Sequence, residues 1–181
     1  MSIARLLTRL FVGVFMIGHG TQKLFGWFDG PGLDQTGQGF EQIGLRPGRR
    51  QAALAGATET AAGTMILTGA ATPLAASMVT GVMLTAIDRV HRKNGPWNTN
   101  GGYEYNAVLI AAVLTLAEAG PGDLSVDGRD GPHGTRWAIA ALAGGIAGAL
   151  GLRVLAQRPA PVAGEHEQQA QPAVQEHPAA A

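Results

Sequence analysis

Residues His19 to Gly32 read HGTQKLFGWFDGPG. The stretch begins where an apolar run, Leu10 to Gly18, ends, and it sets polar side chains where lipid is expected. His19, Gln22 and Lys23 stand at i, i+3 and i+4, so on a helix they share one face. The aromatics Phe25, Trp27 and Phe28 follow in the manner of an interfacial belt, and the DGPG run then breaks the helix. A polar triad inside an apolar helix needs partners, and the remaining sequence supplies them.

The overall composition is ordinary, with 46% apolar residues and a mean hydropathy of +0.10, but the distribution of charge is not. Between Arg50 and Asp88 the one charged residue is Glu59; Tyr105 to Gly122 holds Glu118 alone, and Trp137 to Leu152 holds none. A soluble helix keeps a polar stripe for water. These segments are apolar all round and long enough to cross a bilayer, which gives an all-α integral membrane bundle. The formal net charge is zero, so no nucleic-acid partner is expected. The absence of cysteine excludes disulfides, thiol catalysis and thiolate metal sites. Arg5 and Arg9 before an apolar run resemble a signal peptide, but no A-x-A cleavage pattern follows, and the segment reads as a retained first helix.

Five spans are expected, at about 5–28, 51–71, 73–91, 103–119 and 137–155. Residues 1–127 form a four-helix membrane domain, 128–155 a connector with a fifth transmembrane helix, and 156–181 a disordered tail of Ala, Gln, Pro and Glu. Asp29 to Arg50 reads as a Gly-rich loop in which Phe40 to Ile43 lies as a short interfacial turn. In the second span Gly56, Glu59 and Gly63 share one face, a spacing that lets helices approach closely in lipid, and Gly144 with Gly148 repeats the pattern in the fifth. Nine Lys and Arg residues fall on the side of the first and third connections and the tail, against four on the other. That imbalance puts the N-terminus outside and the tail in the cytoplasm of a bacterial plasma membrane.

Alternating spans bring the end of the first and third and the start of the second and fourth to one membrane face. Glu59 then lies about 12 Å into the second span at about 1.5 Å per residue. Lys23, Glu59, Asp88, Arg89 and Glu104 meet on that side, with His19 slightly deeper and Gln22 beside it. A lone intramembrane charge costs at least about 2.5 kcal/mol, so Glu59 is expected to pair with Lys23 or Arg89. Lys23, Asp88, Arg89 and Glu104 read equally as structural ion pairs near helix ends; Glu59 and His19 are deeper and read as functional. A quinone or proton site would use His19 and Glu59 as exchangeable-proton groups and Trp97, Tyr103 or Tyr105 as ring contacts. His19 and His91 differ in depth and no close ligand pair is present, so no metal site is expected. Phosphate loop, nucleophile elbow and dinucleotide fingerprint are absent from the sequence.

The run HGTQKLFGWFDGPG, the segment NGGYEYN (Asn100 to Asn106) and GPGDLSVD (Gly120 to Asp127) together resemble the DoxX family of small bacterial membrane proteins. The resemblance spans roughly Ala4 to Asp127 and implies a four-helix membrane core, with the fifth segment and tail as an extension. It also implies a membrane subunit of an oxidoreductase complex, more a non-catalytic anchor than a complete enzyme, with a quinone as candidate cofactor. The partners it implies are a superoxide dismutase, a sulfurtransferase or a quinone-linked enzyme, in oxidative or thiol stress. Two other readings stand beside this one: a small-solute or proton-coupled transporter, and a ligand-free membrane scaffold. Gly-rich helix faces make a homo-oligomer plausible in any of the three.

Overall fold

Glycines set how closely the first two long helices cross. The computed structural model describes residues 2–156 and is helical throughout, with α1 (Ile3–Phe25), α2 (Gly32–Gln42), α3 (Gly48–Thr68), α4 (Thr72–Ala86), α5 (Glu104–Ala119) and α6 (Thr135–Ala156). A Cβ added at Gly13 would lie 2.9 Å from the Gly63 carbonyl oxygen, and one at Gly63 would lie 2.7 Å from that of Gly13. Gly20 and Gly56 face each other in the same reciprocal way, at 2.5 and 3.0 Å. Two glycines seven residues apart on each helix thus give an antiparallel, backbone-to-backbone crossing.

Helices α3, α5 and α6 pack around α4. It runs antiparallel to α3 and α5 and parallel to α6, whose Gly144 and Gly145 lie against Ser77 and Thr80. Gly148 has nothing within 4 Å of an added Cβ, so the close contact uses Gly144 and Gly145 and not the expected Gly144/Gly148 pair. The core is filled by Met16 of α1, Ile66 of α3, Val79 of α4 and Val113 and Leu116 of α5.

Among the described residues three helices are long and apolar enough to cross a membrane: Ile3–Phe25, Thr72–Asn94 and Thr135–Ala156. The second of these continues α4 through a π-helical turn (Ile87–His91) and a 3-10 turn (Arg92–Asn94). Of the other expected spans, α5 has 16 residues, short of the ~20 that a straight crossing needs. The Ala-, Gly- and Thr-rich α3 buries Gly56, Glu59, Ala62 and Gly63 against its neighbours. Both pack alongside these longer helices, with α1 and α3, α3 and α4, and α4 and α5 each antiparallel.

Two local expectations are corrected. The Asp29 to Arg50 segment is not a loop with a short turn, because α2 occupies eleven residues of it. Gly32, Gly37 and Gly39 weaken that helix intrinsically, but Gly37 lets it sit on α3, with its added Cβ only 2.9 Å from Arg49 Cα. Helix α1 stops three residues before the end expected from the DGPG break. Gly26 takes a left-handed φ of 72° and returns its N–H to the Gln22 carbonyl, which ends the helix there. The expectation of disorder for 156–181 falls, apart from Ala156, outside the described residues.

Candidate functional site

The charged face of α1 meets α3 across the Gly20–Gly56 contact, with Lys23 to one side of it and Glu59 to the other, so the lysine reaches back along α1. Lys23 Nζ lies 2.7 Å from Glu59 Oε2 and also donates to the His19 carbonyl at 3.3 Å. The Glu59 side chain is 5% exposed and that of Lys23 23%. A lysine stem reaches this far only because the glycines bring the two backbones together. Arg89 takes no part in this pair; its Nε stands 3.6 Å from Asp88 Oδ2.

The pair forms part of the wall of a cavity of about 770 Å³ between α1, α3, α4, α5 and α6, roofed by Phe40, Ile43 and Leu45 from α2 and the turn after it. Leu54, Met78, Val82, Leu109, Leu152 and Leu155 make much of the wall apolar. Its polar groups converge near one membrane face: His19, Lys23, Glu59, Arg89, His91, Tyr105 and Asn106. Arg89 keeps its Nη2 buried with no hydrogen-bond partner among the described residues. The π-helical turn carries Asp88, Arg89 and His91, and turns of this kind are frequent at functional sites.

The other sequence candidates go elsewhere. Gln22 donates to the Phe28 carbonyl at 3.4 Å and does not line the cavity. Glu104 accepts the Asn98 backbone N–H at 2.9 Å, holding the loop before α5. Asp88 faces Arg89, Arg92 and Arg153 on the far side of α4. Trp97 is exposed and, like Tyr103, is not part of the wall; of the three aromatic candidates Tyr105 lines the cavity. Among the described residues no group of His, Asp and Glu is arranged to hold a metal ion.

Two residues were not picked out from the sequence. Asn106 is 5% exposed, donates to Met83 Sδ at 3.3 Å and lines the cavity. It precedes Leu109, Val113 and Leu116 on the buried face of α5, and a polar residue at that spacing is the signal that finds it. At the opposite end of the bundle Arg9, 4% exposed, donates to the carbonyls of Ile66 (3.1 Å), Leu67 (2.8 Å), Pro121 (2.9 Å) and Leu124 (2.6 Å). Its spacing to Val12, Gly13, Met16 and Gly20 puts it on the α1 face that packs inward.

The DoxX family model matches residues 4–92, the stretch that contributes His19, Lys23, Glu59, Arg89 and His91. An uncharacterized membrane protein of Mycobacterium tuberculosis is 32% identical over 132 residues, covering 67% of this chain and 77% of the relative. No solved structure matches the chain.

Proposed function

Since the chain belongs to the DoxX family, we propose that it is the membrane subunit of a redox assembly and that its cavity receives a quinone. The observation that carries this reading is the Lys23–Glu59 pair in the wall of an apolar cavity of about 770 Å³. A quinone has two needs that this wall meets. Its ring carbonyls take hydrogen bonds from donors such as Lys23, Arg89 and His19, and its tail is accommodated by Leu54, Met78, Val82 and Leu155. His19 and Glu59 exchange protons, which quinone reduction consumes, while the electrons come from a partner enzyme. Tyr105 supplies the ring contact and Asn106 a neutral donor.

In this reading the charged end of the bundle faces the bacterial cytoplasm, where the partner docks. Arg46, Arg49 and Arg50, just before and in the first turn of α3, give it a basic surface. The partner is an enzyme of the superoxide dismutase, sulfurtransferase or quinone-linked class.

The test is purification of the full chain from its own membranes in mild detergent, followed by solvent extraction and identification of co-purified protein. Near-stoichiometric quinone that falls at least tenfold in Glu59→Gln or His19→Ala, together with a stoichiometric redox enzyme, supports the reading. Quinone no richer than in the bulk membrane extract sinks the ligand assignment, and a preparation with no partner enzyme sinks the subunit assignment.

A further inference from the structure

Asp88 is shared by three arginines. Arg89 Nε lies 3.6 Å from Oδ2, and Arg153 Nη1 and Arg92 Nη1 lie 3.4 and 3.8 Å from Oδ1. Each contact is long beside the 2.7 Å between Lys23 and Glu59, and beyond the range of about 2.7–2.9 Å for a charge-assisted hydrogen bond. One carboxylate against three guanidiniums leaves a formal excess of two positive charges. The buried Arg89 Nη2 has a donor unused among the described residues. The cluster is therefore under-neutralised and poised for a further anion.

The cluster also closes one end of a groove. Leu84 of α4 and Ile146, Ala149 and Leu150 of α6 line a cleft of about 240 Å³ that ends at Asp88, Arg89 and Arg153. Because α4 and α6 run parallel, their last turns bring these charges to the same depth, at the boundary of the apolar region. Leu150, Val154 and Leu155 around Arg153 are all more than half exposed, so this guanidinium emerges from a surface made for acyl chains rather than for water.

We propose that the groove between α4 and α6 binds an anionic phospholipid, with its phosphate among Arg89, Arg92 and Arg153 and an acyl chain along Leu84, Ile146 and Leu150. Arginine forks match phosphate oxygens, and basic pockets between transmembrane helices select anionic headgroups. Asp88 orients the three guanidiniums and tempers their mutual repulsion. The site shares Arg89 with the cavity that holds Glu59, but Arg153, Ile146 and Leu150 line only the groove, so the proposal stands whether or not that cavity takes a quinone.

The test uses the full-length protein in neutral detergent, titrated with mixed micelles containing phosphatidylglycerol or phosphatidylcholine. Binding is read by native mass spectrometry and by the thermal midpoint. Wild type is expected to prefer phosphatidylglycerol, and Arg153→Gln and Arg92→Gln each to lower that preference about fivefold, while Arg153→Lys, which keeps the charge but not the fork, loses less. The Arg92 side chain is well exposed, so Arg92→Gln carries the test even if Arg153→Gln fails to fold. Equal binding of the two lipids, or a preference that both glutamine variants retain, overturns the proposal. Displacement of phosphatidylglycerol by inorganic phosphate also overturns it, by showing a site for free phosphate.

Discussion

Lys23 and Glu59 meet at 2.7 Å because α1 and α3 cross one turn away at Gly20 and Gly56, where no side chain holds the backbones apart. The glycines fix the distance and the ion pair uses it. Removing one member of such a pair leaves an uncompensated charge, at a cost of about 3–5 kcal/mol for a fully buried pair. Lys23 retains some access to water, which places the cost at the low end. We expect Lys23→Met to lower the thermal midpoint in detergent by roughly 6–10 °C. The double variant Lys23→Met/Glu59→Leu should recover at least half of that loss, since no charge is then stranded. A double variant no more stable than the single one excludes this account.

The glycine crossing makes a separate prediction with an internal control. An alanine methyl at Gly63 must push against the Gly13 backbone, whereas one at Gly18, two residues before the Gly20 contact on the same helix, meets nothing within 4 Å. Gly63→Ala should cost about 1–3 kcal/mol through forced helix separation, while Gly18→Ala should gain about 0.5–1 kcal/mol from the lost glycine flexibility. Thermal unfolding of the two variants in one detergent decides it. Equal midpoints exclude a tight crossing.

The helical class was legible in the sequence, and the partner of Glu59 was narrowed to Lys23 or Arg89, because both follow from strong signals; the structure selects Lys23. Runs nearly free of charge mark apolar helices, and a lone Glu59 opposite a lysine on a neighbouring span leaves few pairings. The helix α2 was not legible, since its glycines argue against a helix and only its packing on α3 overrides them. The π-helical turn at Ile87–His91 escaped because no proline or glycine announces it. Trp97 and Tyr103 were weighed as ring contacts on residue type alone, and the geometry of the loop before α5 turns neither toward the cavity.

The proposed orientation is open to a direct test because the chain has no cysteine and any introduced thiol is a unique reporter. Lys93, after the π-helical turn, and Arg129, in the connector before α6, are exposed at opposite ends of the bundle. In intact cells a membrane-impermeant maleimide should label Arg129→Cys, and should reach Lys93→Cys only after permeabilisation. The reverse pattern inverts the orientation. Labelling of both from outside shows that the chain between them, including α5, does not cross.

Arg9 offers the clearest separation of structure from function, because it works at the end of the bundle away from the cavity. From Arg9 to His19 is about 15 Å along α1. The carbonyls that close a helix lack intrahelical partners, and the Arg9 guanidinium joins two from the last turn of α3 to two from the connector, at Pro121 and Leu124. That clasp seats the connector in the turn between α3 and α4. There Val126 donates to the Thr68 carbonyl, and the Asp127 carboxylate accepts the N–H of Ala71, a residue held at a φ of 45°. A lysine keeps the charge but not the fork, so Arg9→Lys should strand two of the four acceptors. At about 1–3 kcal/mol for each stranded acceptor, local opening becomes roughly 100-fold more frequent. Hydrogen exchange should therefore speed up at Ala71, Val126 and Asp127 while amides around Glu59 keep their protection. Exchange that quickens equally at both ends would mean that Arg9 supports the whole bundle, and the clasp would lose its local meaning.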